Sequence, residues 1–169
     1  MSVIRTRRQS GVSIVEALVA LVVLSVGMLG IASLYLESVR SNRTALTRTA
    51  AVHLVNDLAD RIRANRSAEV AYTVMPLGTV PPAAGVNCGS TVSCSPVQMA
   101  AYDLRAWYLQ VQNALPVGSD TTLPQVSVEY VNGATVSVSD RYIITVGWKE
   151  PGSTDLLTTS VEVLQLGDQ

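Results

Sequence analysis

Phenylalanine is absent from the chain, histidine occurs once, and charged residues make up only 15 % of its 169 positions. The single histidine, His53, stands on a helix-patterned stretch without the neighbours a His-dependent triad or a zinc site requires, and is read as a surface residue. Two cysteines, Cys88 and Cys94, leave a metal site short of ligands. No nucleophile elbow, HExxH, Gly-rich phosphate loop or CxxC occurs, so the sequence implies no catalytic residue, no metal and no cofactor. Beyond residue 66 the only cations are Arg105, Arg141 and Lys149, too few for a nucleic-acid surface.

What the chain does have is apolar surface. Hydrophobic residues reach 48 % and the mean hydropathy is +0.31, ample for one domain with a core. The excess lies near the start, where Ala17 to Leu36 carries no charge. As a helix such a stretch spans a hydrocarbon layer of ~30 Å. Arg5, Arg7 and Arg8 precede it, and Arg40, Arg43 and Arg48 follow it, so arginine count alone leaves the topology open. Cys88 and Cys94, in "CGSTVSC", suit a small disulfide loop, which would place the C-terminal region outside the cytosol.

The apolar run is too long for a secretory signal peptide, and no small-residue cleavage site follows it. A plain uncleaved anchor is the bland alternative. Glu16 separates the readings, because an ionised carboxylate in a membrane helix costs ~2.5 to 3.5 kcal/mol near the centre and less towards an end. An anchor gains nothing from that cost.

The stretch "QSGVSIVEALVALVVL" resembles the N-terminus of type IV prepilins. In that family a short basic leader ends in Gly and precedes an apolar helix whose fifth mature residue is Glu. Here Gly11 ends the leader, Val12 is the first mature residue and Glu16 is the fifth. The resemblance implies cleavage between Gly11 and Val12 by a membrane prepilin peptidase, with N-methylation of Val12. One departure stands out: the family usually has Phe at the first mature position, and this chain has Val12. The resemblance also gives Glu16 a role, pairing with the new N-terminal ammonium of a neighbouring subunit and setting axial register in a filament.

Beyond the apolar run, nothing breaks a helix before Ala64. Ala51, Val55, Leu58 and Ile62 recur at helical spacing, and Asp57 and Arg61 pair at i, i+4. One helix from about Val12 to Arg66 is expected, ~80 Å long. The N-x-S/T matches at Asn42 and Asn65 occur often by chance and are discounted. Residues 67 to 95, rich in Pro and Gly, read as a long loop stapled by the cysteines. A helix over 96–115 is fully punctuated, with Ser95 as N-cap, Pro96 at the first turn, Gln98 closing a capping box and Pro116 beyond its end. Its apolar stripe is Val97, Ala101, Leu104, Tyr108, Val111 and Leu115. In "QVSVEYVNGATVSVS" the pair Asn132-Gly133 predicts a tight hairpin, and "RYIITVGWK" and "LLTTSVEVLQL" add strands on either side of a Pro151-Gly152 turn.

The expectation is an α+β, pilin-like fold in which a long N-terminal helix packs on a small antiparallel sheet. Its parts are a leader (1–11), a membrane or filament-core helix (12–36), an amphipathic continuation (37–66) and a head (67–169) with antiparallel strands over 126–166. "EALVALVVLSVGMLG" followed by "LADRIRANR" most resembles the minor pilins among the family. The resemblance implies a subunit of the inner membrane with its head in the periplasm, later in a surface pilus supporting assembly, adhesion or twitching. The implied partners are the prepilin peptidase, other major and minor pilins, the inner-membrane assembly machinery and, before assembly, the lipid bilayer. A pseudopilin of type II secretion shares leader and Glu, and a signal-anchored binding domain or enzyme is the rival from another class.

Overall fold

The computed structural model describes residues 11–89, 93–118, 121–133, 140–153 and 156–164. The elements run in the order α1 (Ile14–Ala64), a 3-10 helix (Arg66–Tyr72), α2 (Pro96–Ala114), β1 (Gln125–Val131), β2 (Arg141–Lys149) and β3 (Leu156–Leu164). The chain divides into two compact units, Met1–Arg43 and Thr44–Gln169, and α1 runs through the boundary. The fold class is the expected one: a long N-terminal helix and an antiparallel sheet of order β1-β2-β3.

The core belongs wholly to the second unit. Ala51, Val55, Leu58, Ala59 and Ile62 supply the buried face of α1, at the spacing read from the sequence. Ala100, Leu104, Trp107 and Val111 supply that of α2, and Val126, Val128, Tyr142, Ile144, Val146, Trp148 and Val163 that of the sheet. Burial alternates along β2 through Tyr142, Ile144, Val146 and Trp148, as the period of a strand with one covered face requires. Leu54 accepts a 2.7 Å hydrogen bond at its carbonyl from Trp107 Nε1, which joins α2 to α1 and satisfies the indole donor. Thr44 Oγ1 donates to Glu150 Oε2 at 2.6 Å, tying α1 to the end of β2.

Several expectations are corrected. α1 stops at Ala64 rather than Arg66, and the chain turns immediately into the 3-10 helix, where a loop was expected. Glu69 within it has φ 43°, a left-handed value, and its carbonyl accepts from Tyr142 OH at 2.8 Å. Val74 then pairs with Val128 through reciprocal backbone bonds of 2.8 and 2.9 Å, and Gly78 donates to Val126, so residues 74–78 border the outer edge of β1. β1 pairs with β2, Val128 facing Ile144 and Val131 facing Arg141, so a longer connection replaces the expected two-residue hairpin. Residues 134–139, expected as the second strand of that hairpin, lie outside the described residues, as do 165 and 166 at the expected end of β3. The later turn is as expected: Ser153 donates to the Glu150 carbonyl across Pro151 and Gly152, whose φ of 86° suits glycine.

α2 carries its capping box as read: Gln98 N donates to Ser95 Oγ and Ser95 N to Gln98 Oε1. Its buried face is rotated from the predicted stripe. Val97 is 60 % exposed and Ala101 and Tyr108 are half-buried, while Ala100, Asp103 and Trp107 are inside. The indole has the larger apolar area to bury and a partner for its N–H, so it outweighs the smaller Val97.

Candidate functional site

The N-terminal part of α1 contributes nothing to the core. Every residue from Gly11 to Ser38 is exposed in its own unit; Ile14 is 81 % and Leu36 61 % exposed. A protein that leaves so long an apolar surface uncovered requires a covering, whether lipid or neighbouring helices. By length and composition α1 is able to cross a membrane, with a mean hydropathy of 2.5 over its most apolar window.

Local chemistry begins the helix at this point. Ser13 accepts from Val15 N at its hydroxyl, 3.3 Å, and from Ala17 N at its carbonyl, 3.1 Å. Glu16 sits in the first turn, where the unpaired backbone N–H groups favour a carboxylate. The other polar side chains of the apolar run include two serines that close on their own helix. Ser25 Oγ donates to the Leu21 carbonyl at 2.7 Å and Ser33 Oγ to that of Gly30 at 2.8 Å, which removes their demand for water. Glu16 differs from them: among the described residues it makes no hydrogen bond and no ion pair. It is a charge waiting for a partner. Gly27 and Gly30, three residues apart on one face, have no heavy atom within 4 Å of where a Cβ would stand, which leaves room for close approach of another helix.

The structure places Gly11 and Val12 in extended chain ahead of α1, with Val12 73 % exposed, close in sequence to Glu16. Cys88 and Cys94 are joined by a disulfide in the head. A side chain at Gly89 would run into the Tyr102 hydroxyl, so this loop lies against α2. His53 is exposed, as expected. Asn65 is engaged through its amide, donating to Tyr72 OH and to the Pro96 carbonyl, which suits a structural role for one of the discounted N-x-S/T positions.

Sequence reasoning missed the polar knot that joins α1, the 3-10 helix and α2. Asp103, only 8 % exposed, accepts from Tyr72 OH at 2.8 Å and from Arg61 Nη1 at 3.2 Å; Arg61 Nε also donates to Asp57 at 3.0 Å. The i, i+4 pair was legible, and its third member was not. The available signal was Asp103 between Ala100 and Trp107 on α2, a carboxylate on the face that proves buried. Burial first, and then the Asp103 carboxylate opposing the Asn65 donor, hold the Tyr72 hydroxyl well above the ordinary tyrosine range. Among the described residues no group of three or more His, Cys, Asp or Glu side chains is placed to hold a metal.

Comparison with known families divides the chain in nearly the same place. Residues 6–32 match the prokaryotic N-terminal methylation motif, and residues 33–105 match the family model described as type IV pilin Tt1218. The two matches adjoin without overlap and support a type IV pilin. No curated protein and no solved structure matched the chain.

Proposed function

We propose that this chain is a minor subunit of a type IV pilus, of the kind named PilV, with a structural role rather than an enzymatic one. The observation that carries the reading is the pairing of an uncovered apolar helix with one unpartnered carboxylate, Glu16, at its head. The adjoining family matches support it. In this reading prepilin peptidase cuts between Gly11 and Val12 on the cytoplasmic side and the new amine at Val12 is methylated. The apolar helix holds the subunit in the inner membrane with its head in the periplasm, and the subunit then joins other pilins in the filament.

Glu16 has a physical task in this sequence of events. In a medium without water an unpaired carboxylate is costly, whereas one that meets an ammonium gains from strong low-dielectric attraction. The N-terminal ammonium of an adjoining subunit is the available cation, so charge pairing fixes how far each helix slides along the next. Substituting Glu16→Ala is expected to leave membrane insertion intact and to reduce incorporation into pili, read from sheared filaments by immunoblot. Normal incorporation of E16A would remove the role. Intact mass of the protein from its native membrane tests processing: a chain beginning at Val12, with or without one methyl, is expected, and a full-length chain would make the segment a signal anchor.

A further inference from the structure

We propose that Arg40 and Arg43 form a basic collar that grips the phosphates of anionic phospholipid headgroups where the apolar helix leaves the bilayer. This rests on the membrane reading of α1 and names a ligand for its outer end. The uncharged stretch Ala17 to Leu36 has the length of the hydrocarbon layer, so Leu36 lies at its boundary. Arg40 and Arg43 follow at about 6 and 10 Å along the axis. Helical side chains lean towards the helix N-terminus, so both long stems reach back to the membrane surface. A spacing of three residues places them on one face. Both are exposed, and Tyr35, 69 % exposed, supplies the amphipathic ring found at such boundaries.

The pattern of charge pairing favours a phosphate as the partner. In the head, Arg61 is answered by Asp57 and Asp103, and Arg63 by Asp60. Among the described residues Arg40 makes no ion pair, although Glu37 stands one turn before it. A planar guanidinium matches a phosphate with two parallel hydrogen bonds, and the two together favour an anionic headgroup over a zwitterionic one. Arg48, about 18 Å beyond Leu36, is out of reach of that layer. The collar fixes the depth of the waiting subunit and opposes its withdrawal, so entry into a filament must exchange these lipid contacts for contacts with neighbouring helices.

The test uses the full chain in vesicles of phosphatidylcholine and phosphatidylglycerol in equal amounts, with retained lipids identified by native mass spectrometry after gentle release. Phosphatidylglycerol is expected to be retained preferentially. R40Q/R43Q should lower that preference by about five-fold per arginine, while R40K/R43K keeps most of it. Both positions lie outside the core, so the variants fold. Carbonate extraction of the same vesicles separates two failures. If the wild-type chain stays integral but shows no phosphatidylglycerol preference, or R40Q/R43Q leaves it unchanged, the collar is wrong and the arginines serve another partner, such as carboxylates of a neighbouring subunit. If the wild-type chain is extracted, the membrane reading itself falls, and the collar with it.

Discussion

Asp103 illustrates how one side chain sets the geometry of three elements. Its carboxylate is largely shielded, with 11 % of the side chain accessible, and it answers both the Tyr72 hydroxyl and the Arg61 guanidinium, itself 27 % accessible. Removing it leaves two donors without a shared acceptor, so Asp103→Ala should cost about 2 kcal/mol, below the range for a fully buried pair because water reaches Arg61. The pair Arg63–Asp60 is shorter, at 2.7 Å, yet both partners are more than half exposed, and Arg63→Ala should change stability by less than ~0.5 kcal/mol. Urea denaturation of both variants tests whether burial, rather than distance, ranks these pairs. The tyrosines make a second prediction at this scale. Burial first, and then the charges of Glu69 and Asp140, push the Tyr142 phenol up to about 12, and Tyr72 and Tyr130 are raised as well. The native state therefore holds these protons more tightly than the unfolded chain, whose tyrosines ionise near ~10. Stability from this source is complete below about pH 10 and is lost as pH rises through 10 to 12. Tyr142→Phe should flatten that alkaline fall, read from thermal unfolding against pH, while costing about 1 kcal/mol at neutral pH through the lost bond to the Glu69 carbonyl.

At the scale of elements, α2 separates what was legible from what was not. Its beginning and end were fixed by local chemistry, because Ser95, Pro96 and Gln98 satisfy backbone groups within one turn. Ser95→Ala should cost about 1 kcal/mol. Its orientation was not fixed locally. Two apolar stripes share Leu104, Val111 and Leu115, and only the surrounding structure decides whether Val97 or Trp107 completes the face. The decision is measurable: Trp107→Ala should cost ~3–5 kcal/mol and Val97→Ala under ~0.5 kcal/mol. The same contrast applies elsewhere. The buried face of α1 was legible because Ala51, Val55, Leu58 and Ile62 leave no competing stripe. β2 and β3 were legible as strands, but the partner of β1 was not, since Asn132-Gly133 suits a tight turn and pairing with Arg141–Lys149 is decided by long-range packing. The Val74–Val128 bridge had no periodic signal, being an isolated pair of residues beside a proline-rich stretch. The N-terminal segment was legible for the opposite reason: its pattern of Gly11, Val12 and Glu16 before an apolar run depends on no tertiary contact within the chain.

At the scale of the whole molecule, the two units divide the labour between folding and association. Every buried core residue, from Ala51 to Val163, falls in Thr44–Gln169, whereas the described residues from Gly11 to Ser38 are all exposed. Stability of the head therefore has no contribution from the segment proposed to enter membrane or filament, and changes in that segment should be silent in folding. A fragment beginning at Thr44 retains the Thr44–Glu150 bond, the whole buried face of α1 and the Arg61–Asp103–Tyr72 knot. It should unfold cooperatively, with a melting temperature within a few degrees of that of the head in the full chain in detergent. E16A in the full chain should show the same head transition as wild type while failing to enter pili, which separates an assembly defect from misfolding. A fragment that melts far lower, or an E16A head that is itself destabilised, would mean that the N-terminal segment supports the fold, and loss of incorporation could then no longer be assigned to the missing carboxylate.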